Sequence, residues 1–173
     1  MSRLLDFYWG EATDTEGRFL GEILSWSDDE LEAVHDFVQW LFPLPEPSRF
    51  NPDAPLLTVE DVAAFHSDPL LRDNLLQSFG RFLAFLGLSQ AADETVVEGP
   101  NFAARVPDVW AYSNHNWLRV TRLLHCLRLL GQEDRARSLF AWLALQYKRH
   151  KFPIPADTFR YWTKAVEGTP FHA

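Results

Sequence analysis

The segment from Ser27 to Asn51, SDDELEAVHDFVQWLFPLPEPSRFN, constrains the fold more than any other stretch of the chain. Ser27 followed three residues later by Glu30 is a capping box, in which hydroxyl and carboxylate each take up one backbone N–H at the start of a helix. Asp28, Asp29 and Glu30 put negative charge where the helix dipole is positive. Leu31, Val34, Val38 and Leu41 recur at helical spacing and Phe37 widens the stripe. The pattern predicts one amphipathic helix to about Phe42, stopped by Pro43 and Pro45. Five prolines from Pro43 to Pro55 make the following stretch an extended, stiff connector that loses little entropy on ordering.

The same logic extends along the chain. Thr58 and Asp61 cap a second helix that ends before Pro69. A third runs from about Leu70 to Leu86, with Leu71, Leu75, Phe79, Phe82, Leu83 and Leu86 inward and Gly87 as its stop. Residues 89–115 lack a sustained period, apart from a short strand-like piece at Thr95–Val97. The aromatic run from Asn101 to Asn114 reads as a loop pinned onto the core. Asn114 or Asn116 caps the next helix, which ends at Gly131. Further helices are predicted over Glu133–Lys151 and about Ala156–Glu167. No hairpin signal and no internal repeat is present. The expected fold is therefore all-α, a compact multi-helix bundle of about six to eight helices in a single domain.

With 173 residues, the chain can bury a sizeable core, and seven Trp and fourteen Phe make that core aromatic. The single cysteine, Cys126, excludes an internal disulfide framework and a multi-cysteine zinc site, and suits a reducing, cytoplasmic compartment. The N-terminus lacks the apolar stretch of a signal peptide, and no run approaches the length that spans a bilayer. Residues 1–102 carry 5 Lys/Arg against 19 Asp/Glu, and residues 103–173 carry 11 against 5. That polarity suits acidic elements packing beside basic ones, or one basic face. The net charge of −8 disfavours nucleic acid as a partner.

The residues also carry a family pattern. It runs through Trp26, Leu31-Glu32, His35-Asp36-Phe37 and Gln39-Trp40-Leu41-Phe42-Pro43, then Asn51-Pro52, Ala54 to Thr58 and Phe65. It continues in Phe85-Leu86-Gly87-Leu88, Asn101 and Arg105, and closes in His115-Asn116-Trp117-Leu118-Arg119-Val120-Thr121-Arg122-Leu123-Leu124. Over about residues 7–145 the chain resembles the conserved domain of the opioid growth factor receptor family, in a minimal form without the long repeat-bearing tail. The resemblance implies an all-helical domain. In animal members it implies reception of an opioid pentapeptide linked to restraint of cell proliferation, and a nuclear or membrane-associated setting.

Two constellations are candidate binding residues. His115, Asn116, Arg119 and Arg122 lie at a helix start, where free N–H groups favour an anion, and the two arginines share a face able to grip a carboxylate. The alternative is a plain cap with arginines paired to the acidic half. In the first helix, His35, Gln39 and Phe42 share one flank, with Asp36 and Trp40 on the next. These could meet a peptide, with Asp36 or Glu32 for its amine, Gln39 for its backbone, and Phe37 and Trp40 for its apolar part. They could equally form a packing network, since buried polar groups need partners either way.

Arg105 joins the set through the resemblance. No His spacing matches a helical zinc site, and Cys126 sits among leucines as a core thiol. Lys148-Arg149-His150-Lys151 reads as a solvated helix end. No cofactor is expected. The reading that results is a non-enzymatic binding module for a short peptide, a small carboxylate or a protein partner, with a growth-regulatory signalling role implied only by the resemblance. Its groove would lie between the Ser27–Phe42 and His115–Leu130 helices. The alternatives are a hydrolase or transferase using His35 or His115 as general base, and a homodimeric interaction protein.

Overall fold

The computed structural model describes residues 2–168. The element order is α1 (Arg3–Trp9), α2 (Leu20–Ser25), α3 (Asp28–Ala33), α4 (Val38–Leu41), α5 (Val59–Ser67), α6 (Pro69–Phe85), β1 (Leu88–Gln90), β2 (Val96–Glu98), α7 (Phe102–Arg105), a π-helical turn (Val106–Trp110), α8 (His115–Leu129), α9 (Glu133–Lys148) and α10 (Ala156–Glu167). The fold is mostly helical, as the periodicity predicts. The described residues divide into two compact units, residues 2–81 and 82–168. The division falls inside α6.

The first unit is organised around α1. Phe7 and Tyr8 are wholly buried; the Phe7 ring meets Trp40 at 5.1 Å and Tyr8 meets Phe65 edge-on at 4.9 Å. The Tyr8 hydroxyl donates to the carbonyl of Leu41, Asn74 donates to the carbonyl of Tyr8 at 2.6 Å, and the Trp9 indole donates to Asp68 at 2.9 Å. This aromatic anchor thus holds α4, α5 and α6 by both rings and hydrogen bonds. Both predicted capping boxes form, Ser27 with Glu30 and Thr58 with Asp61. Arg81 on α6 donates to the Trp26 carbonyl and to Asp28, tying α6 to the start of α3.

The single helix expected from Ser27 to Phe42 is instead two. α3 ends at Ala33, Val34 is extended, and α4 begins only at Val38. Tertiary partners claim the intervening groups. Asn51 donates its side-chain amide to the Asp36 carbonyl at 2.6 Å, taking an acceptor that a continuous helix would use for itself, and Arg18 takes the Asp36 carboxylate. The flank expected of His35, Gln39 and Phe42 therefore does not form as a helical surface. This break, the short α1 and α2, and α7 give ten α-helices among the described residues, against the six to eight expected.

In the second unit α8, α9 and α10 pack against one another. The α8 stripe of Val120, Leu123, Leu124 and Leu127 is buried, and Trp162 of α10 donates its indole N–H to the Trp117 carbonyl at 3.1 Å. Phe159 lies flat between α9 neighbours, 4.1 Å from the Tyr147 ring and 5.6 Å from Phe140. β1 and β2 form an antiparallel pair, Leu88 opposite Glu98, where the sequence showed no hairpin signal. The strands are three residues each, too short for alternation to register. Side chains of α9 hold the turn: Ser138 accepts from Val96 N–H and donates to the Glu94 carbonyl, and Arg135 pairs with Glu94 at 2.8 Å. Lys151 pairs with Glu98, so part of the charge polarity is consumed within this unit.

Within the Asn101–Asn114 stretch, expected as a loop, Phe102–Trp110 is helical. Pro107 removes an N–H from the α-ladder, and the backbone answers with a wider turn in which Ala111 N–H reaches the Val106 carbonyl at 2.9 Å. Val109 and Trp110 are buried by it. Gly87 ends α6 with φ +82°, as expected of a helix-stopping glycine.

Candidate functional site

The expected site residues divide between the units. Glu32, His35, Asp36, Phe37, Gln39 and Trp40 lie in the first, and Arg105, His115, Asn116, Arg119 and Arg122 in the second.

In the first unit the organising group is Arg18, which sequence reasoning did not single out. Its guanidinium reaches Asp14 at 2.6 Å and Asp36 at 2.8 Å, and lies over the Trp26 ring, 5.3 Å from the centroid. Burial opposes its charge, yet the bonds to Asp14 and Asp36 outweigh that and hold it above its ordinary pKa. Asp14 also accepts the backbone N–H groups of Glu16 and Arg18, while Gly17 takes φ +79°. The available signal was the Asp14-to-Gly17 run, a turn-former pattern whose aspartate side chain folds onto its own backbone. Phe37 is wholly buried and meets Trp26 edge-on at 5.5 Å; His35 is exposed on the segment between α3 and α4; Glu32 is half-buried.

Gln39 and Trp40, adjacent on α4, are buried with 5% and 0% exposure. Gln39 Nε2 donates to the Ser48 hydroxyl at 3.2 Å, and Ser48 also accepts the Phe50 N–H, so the proline-rich connector is stitched to α4. Gln39 Oε1 and Trp40 Nε1 find no hydrogen-bond partner among the described residues. Exchanging the amide's oxygen and nitrogen would still leave one Gln39 atom unsatisfied. The Trp40 ring is packed by Phe7 and by the Arg3 guanidinium, 5.6 Å from the centroid.

In the second unit the α8 start is built as expected. Asn114 accepts from Asn116 N–H at 2.9 Å and donates to the carbonyls of Val109 and Tyr112. Asn116 is wholly buried and accepts from Arg119 at 3.3 Å; His115 and Arg122 are half-buried. The structure brings Arg119 to Arg105 at a common aromatic ring. Phe85 has the Arg105 guanidinium 4.8 Å from its centroid and that of Arg119 at 5.9 Å. Arg105 also donates to the Phe85 carbonyl at 2.8 Å and pairs with Asp108 at 3.1 Å. Cys126 is fully buried, and burial pushes its thiol well up from the ordinary value. Among the described residues no group of three or more His, Cys, Asp or Glu is placed to hold a metal ion, and no helix is long and apolar enough to cross a membrane.

These features define a mostly helical protein whose polar clusters are set into its interior. The family follows from comparison with known proteins. Residues 2–167 match the model of the opioid growth factor receptor (OGFr) conserved region, and the chain belongs to that family. It is 36% identical over 156 residues to the mouse opioid growth factor receptor, covering 86% of this chain and 24% of that protein. The human opioid growth factor receptor is 36% identical over 135 residues, 75% of this chain and 20% of that one. The mouse opioid growth factor receptor-like protein 1 is 33% identical over 124 residues, 69% and 26% of the two chains. The chain thus spans about a quarter of the length of the curated relatives it matches. No solved structure matches it.

Proposed function

We propose that this chain is a helical recognition module that binds a short peptide, without carrying out a covalent reaction. The observation that carries this reading is the pair of buried, unsatisfied atoms on α4. Gln39 Oε1 is an acceptor and Trp40 Nε1 a donor, and neither has a partner among the described residues. A peptide group offers the matching N–H and C=O. Leaving such an atom unpaired costs about 1–3 kcal/mol, and two neighbours in that condition on one short helix support the reading that a partner supplies the missing bonds by reaching into α4. Phe7 and Phe37, both buried in this unit, supply apolar surroundings. The relatives are named receptors, which supports binding over catalysis and makes an opioid peptide the first probe. The same kinship supports a growth-regulatory role. The lone buried thiol supports a cytoplasmic, reducing setting.

Calorimetric titration with an opioid pentapeptide, together with native mass spectrometry of the protein as purified, tests the reading. Trp40→Phe keeps the ring and removes the N–H; Gln39→Leu keeps the volume and removes the amide. Each should weaken peptide binding at least about tenfold, the worth of a buried hydrogen bond, with far-UV circular dichroism unchanged. Folded variants that bind as tightly as the parent, or a parent that binds neither this peptide nor a mixed library of short peptides, would sink it.

A further inference from the structure

We infer that α1 supplies an amine receptor beside Trp40, so that the amino-terminal residue of the bound peptide is the part recognised there. The inference rests on the reading of α4 as a peptide-binding element. Arg3, Asp6 and Phe7 occupy one face of α1, three and four residues apart. Two of the three touch Trp40: the Phe7 ring at 5.1 Å and the Arg3 guanidinium at 5.6 Å from the indole centroid.

Asp6 lies between them in sequence. An arginine and an aspartate three apart on a helix commonly pair. Here Arg3 instead lies over the indole, and Asp6 Oδ1 is buried with no hydrogen-bond partner among the described residues. Trp40 Nε1 is in the same condition. The α1 face that meets Trp40 through Arg3 and Phe7 therefore also carries an anionic acceptor, and the indole offers a neutral donor and a ring already occupied by a cation.

The chemistry that satisfies all three is an ammonium group beside a carbonyl. An α-ammonium would donate to Asp6 Oδ1 as a charge-assisted bond and take the place of the Arg3 cation over the indole. The carbonyl oxygen of the same residue would accept from Trp40 Nε1. Arg3 is exposed, so its long side chain can leave the ring without disturbing packed groups. A carboxylate end of the ligand fits less well, since Asp6 would repel it.

The test uses one opioid pentapeptide in three forms: free at both ends, N-acetylated, and C-terminally amidated. Against the parent, acetylation should weaken binding at least about tenfold, as loss of a charge-assisted hydrogen bond requires, while amidation should leave it within about twofold. Asp6→Asn, close in shape and neutral, should bind the free and acetylated forms alike. The inference is overturned if acetylation has no effect on the parent, if amidation is the damaging change, or if Asp6→Asn still prefers the free form. If none of the three forms binds the parent, the peptide reading itself falls for this probe and the inference falls with it. If all bind equally, the inference alone falls.

Discussion

Arg105 holds Phe85 by both its backbone and its ring: Nε donates to the Phe85 carbonyl at 2.8 Å while the guanidinium lies 4.8 Å from the centroid of the same residue's ring. The planar fork of arginine can do both at once, whereas an ammonium cannot. Arg105→Lys should therefore destabilise the protein by about 1–3 kcal/mol, the cost of leaving a buried carbonyl unsatisfied. Urea denaturation of the two proteins checks this, and an unchanged midpoint would refute it.

Gly87 allows no side chain. Its φ is +82°, and a Cβ there would lie 3.0 Å from the Phe102 Cα and 3.1 Å from the Arg105 Cβ. The left-handed backbone alone costs an L-residue about 1–2 kcal/mol, and the backbone contact adds to that. Gly87→Ala should lower the thermal midpoint more than Gly80→Ala, since Gly80 is helical with open space around it.

Acid should weaken the first unit through Asp68. The Trp9 indole first, with the backbone N–H groups of Leu70 and Leu71, holds this carboxyl below its ordinary value. A depressed carboxyl stabilises the folded chain above its unfolded pKa, and the contribution is lost as the pH falls through the folded value. Trp9→Phe removes the largest cause. The stability gap between parent and variant should be full at pH 5 and shrink below about pH 4. Urea midpoints at pH 5 and pH 3 measure it, and a gap independent of pH would contradict the assignment.

Cys126 should be inert in the native protein. Its thiol is fully buried and burial raises its pKa, so little thiolate exists at neutral pH. Iodoacetamide at pH 8 should label it only after urea is added. Labelling at the same rate in both conditions would show that α8 opens readily.

Local signals in the sequence proved reliable where they concern a helix's own ends. Ser27 with Glu30, Thr58 with Asp61, Asn114 before α8 and Gly87 after α6 all act as expected. The failures are equally specific. The Val34–Phe37 break was hidden because its cause lies far along the chain, in Asn51 and Arg18. The π-turn was hidden because residues 89–115 carry no sustained period, so nothing local distinguishes the wide turn at Val106–Trp110 from a loop.

The candidate site divides in the same way. Gln39 and Trp40 stood out as polar and amphipathic groups amid apolar ones, a pattern visible in one dimension. Arg3, Asp6, Asp14 and Arg18 did not, because isolated charges near an N-terminus look like ordinary surface. Only packing buried Asp6 Oδ1 and drew Arg18 onto Asp14 and Asp36.

By itself the sequence determined the helical class, the caps, the aromatic core and the family pattern, because periodicity and capping are short-range interactions between residues near in the chain. Tertiary structure decided where the Ser27–Phe42 segment breaks, which arginines meet at Phe85, and which polar atoms are buried without partners. Those outcomes depend on competition for hydrogen-bonding groups between residues distant in the chain, and no local pattern records who wins it.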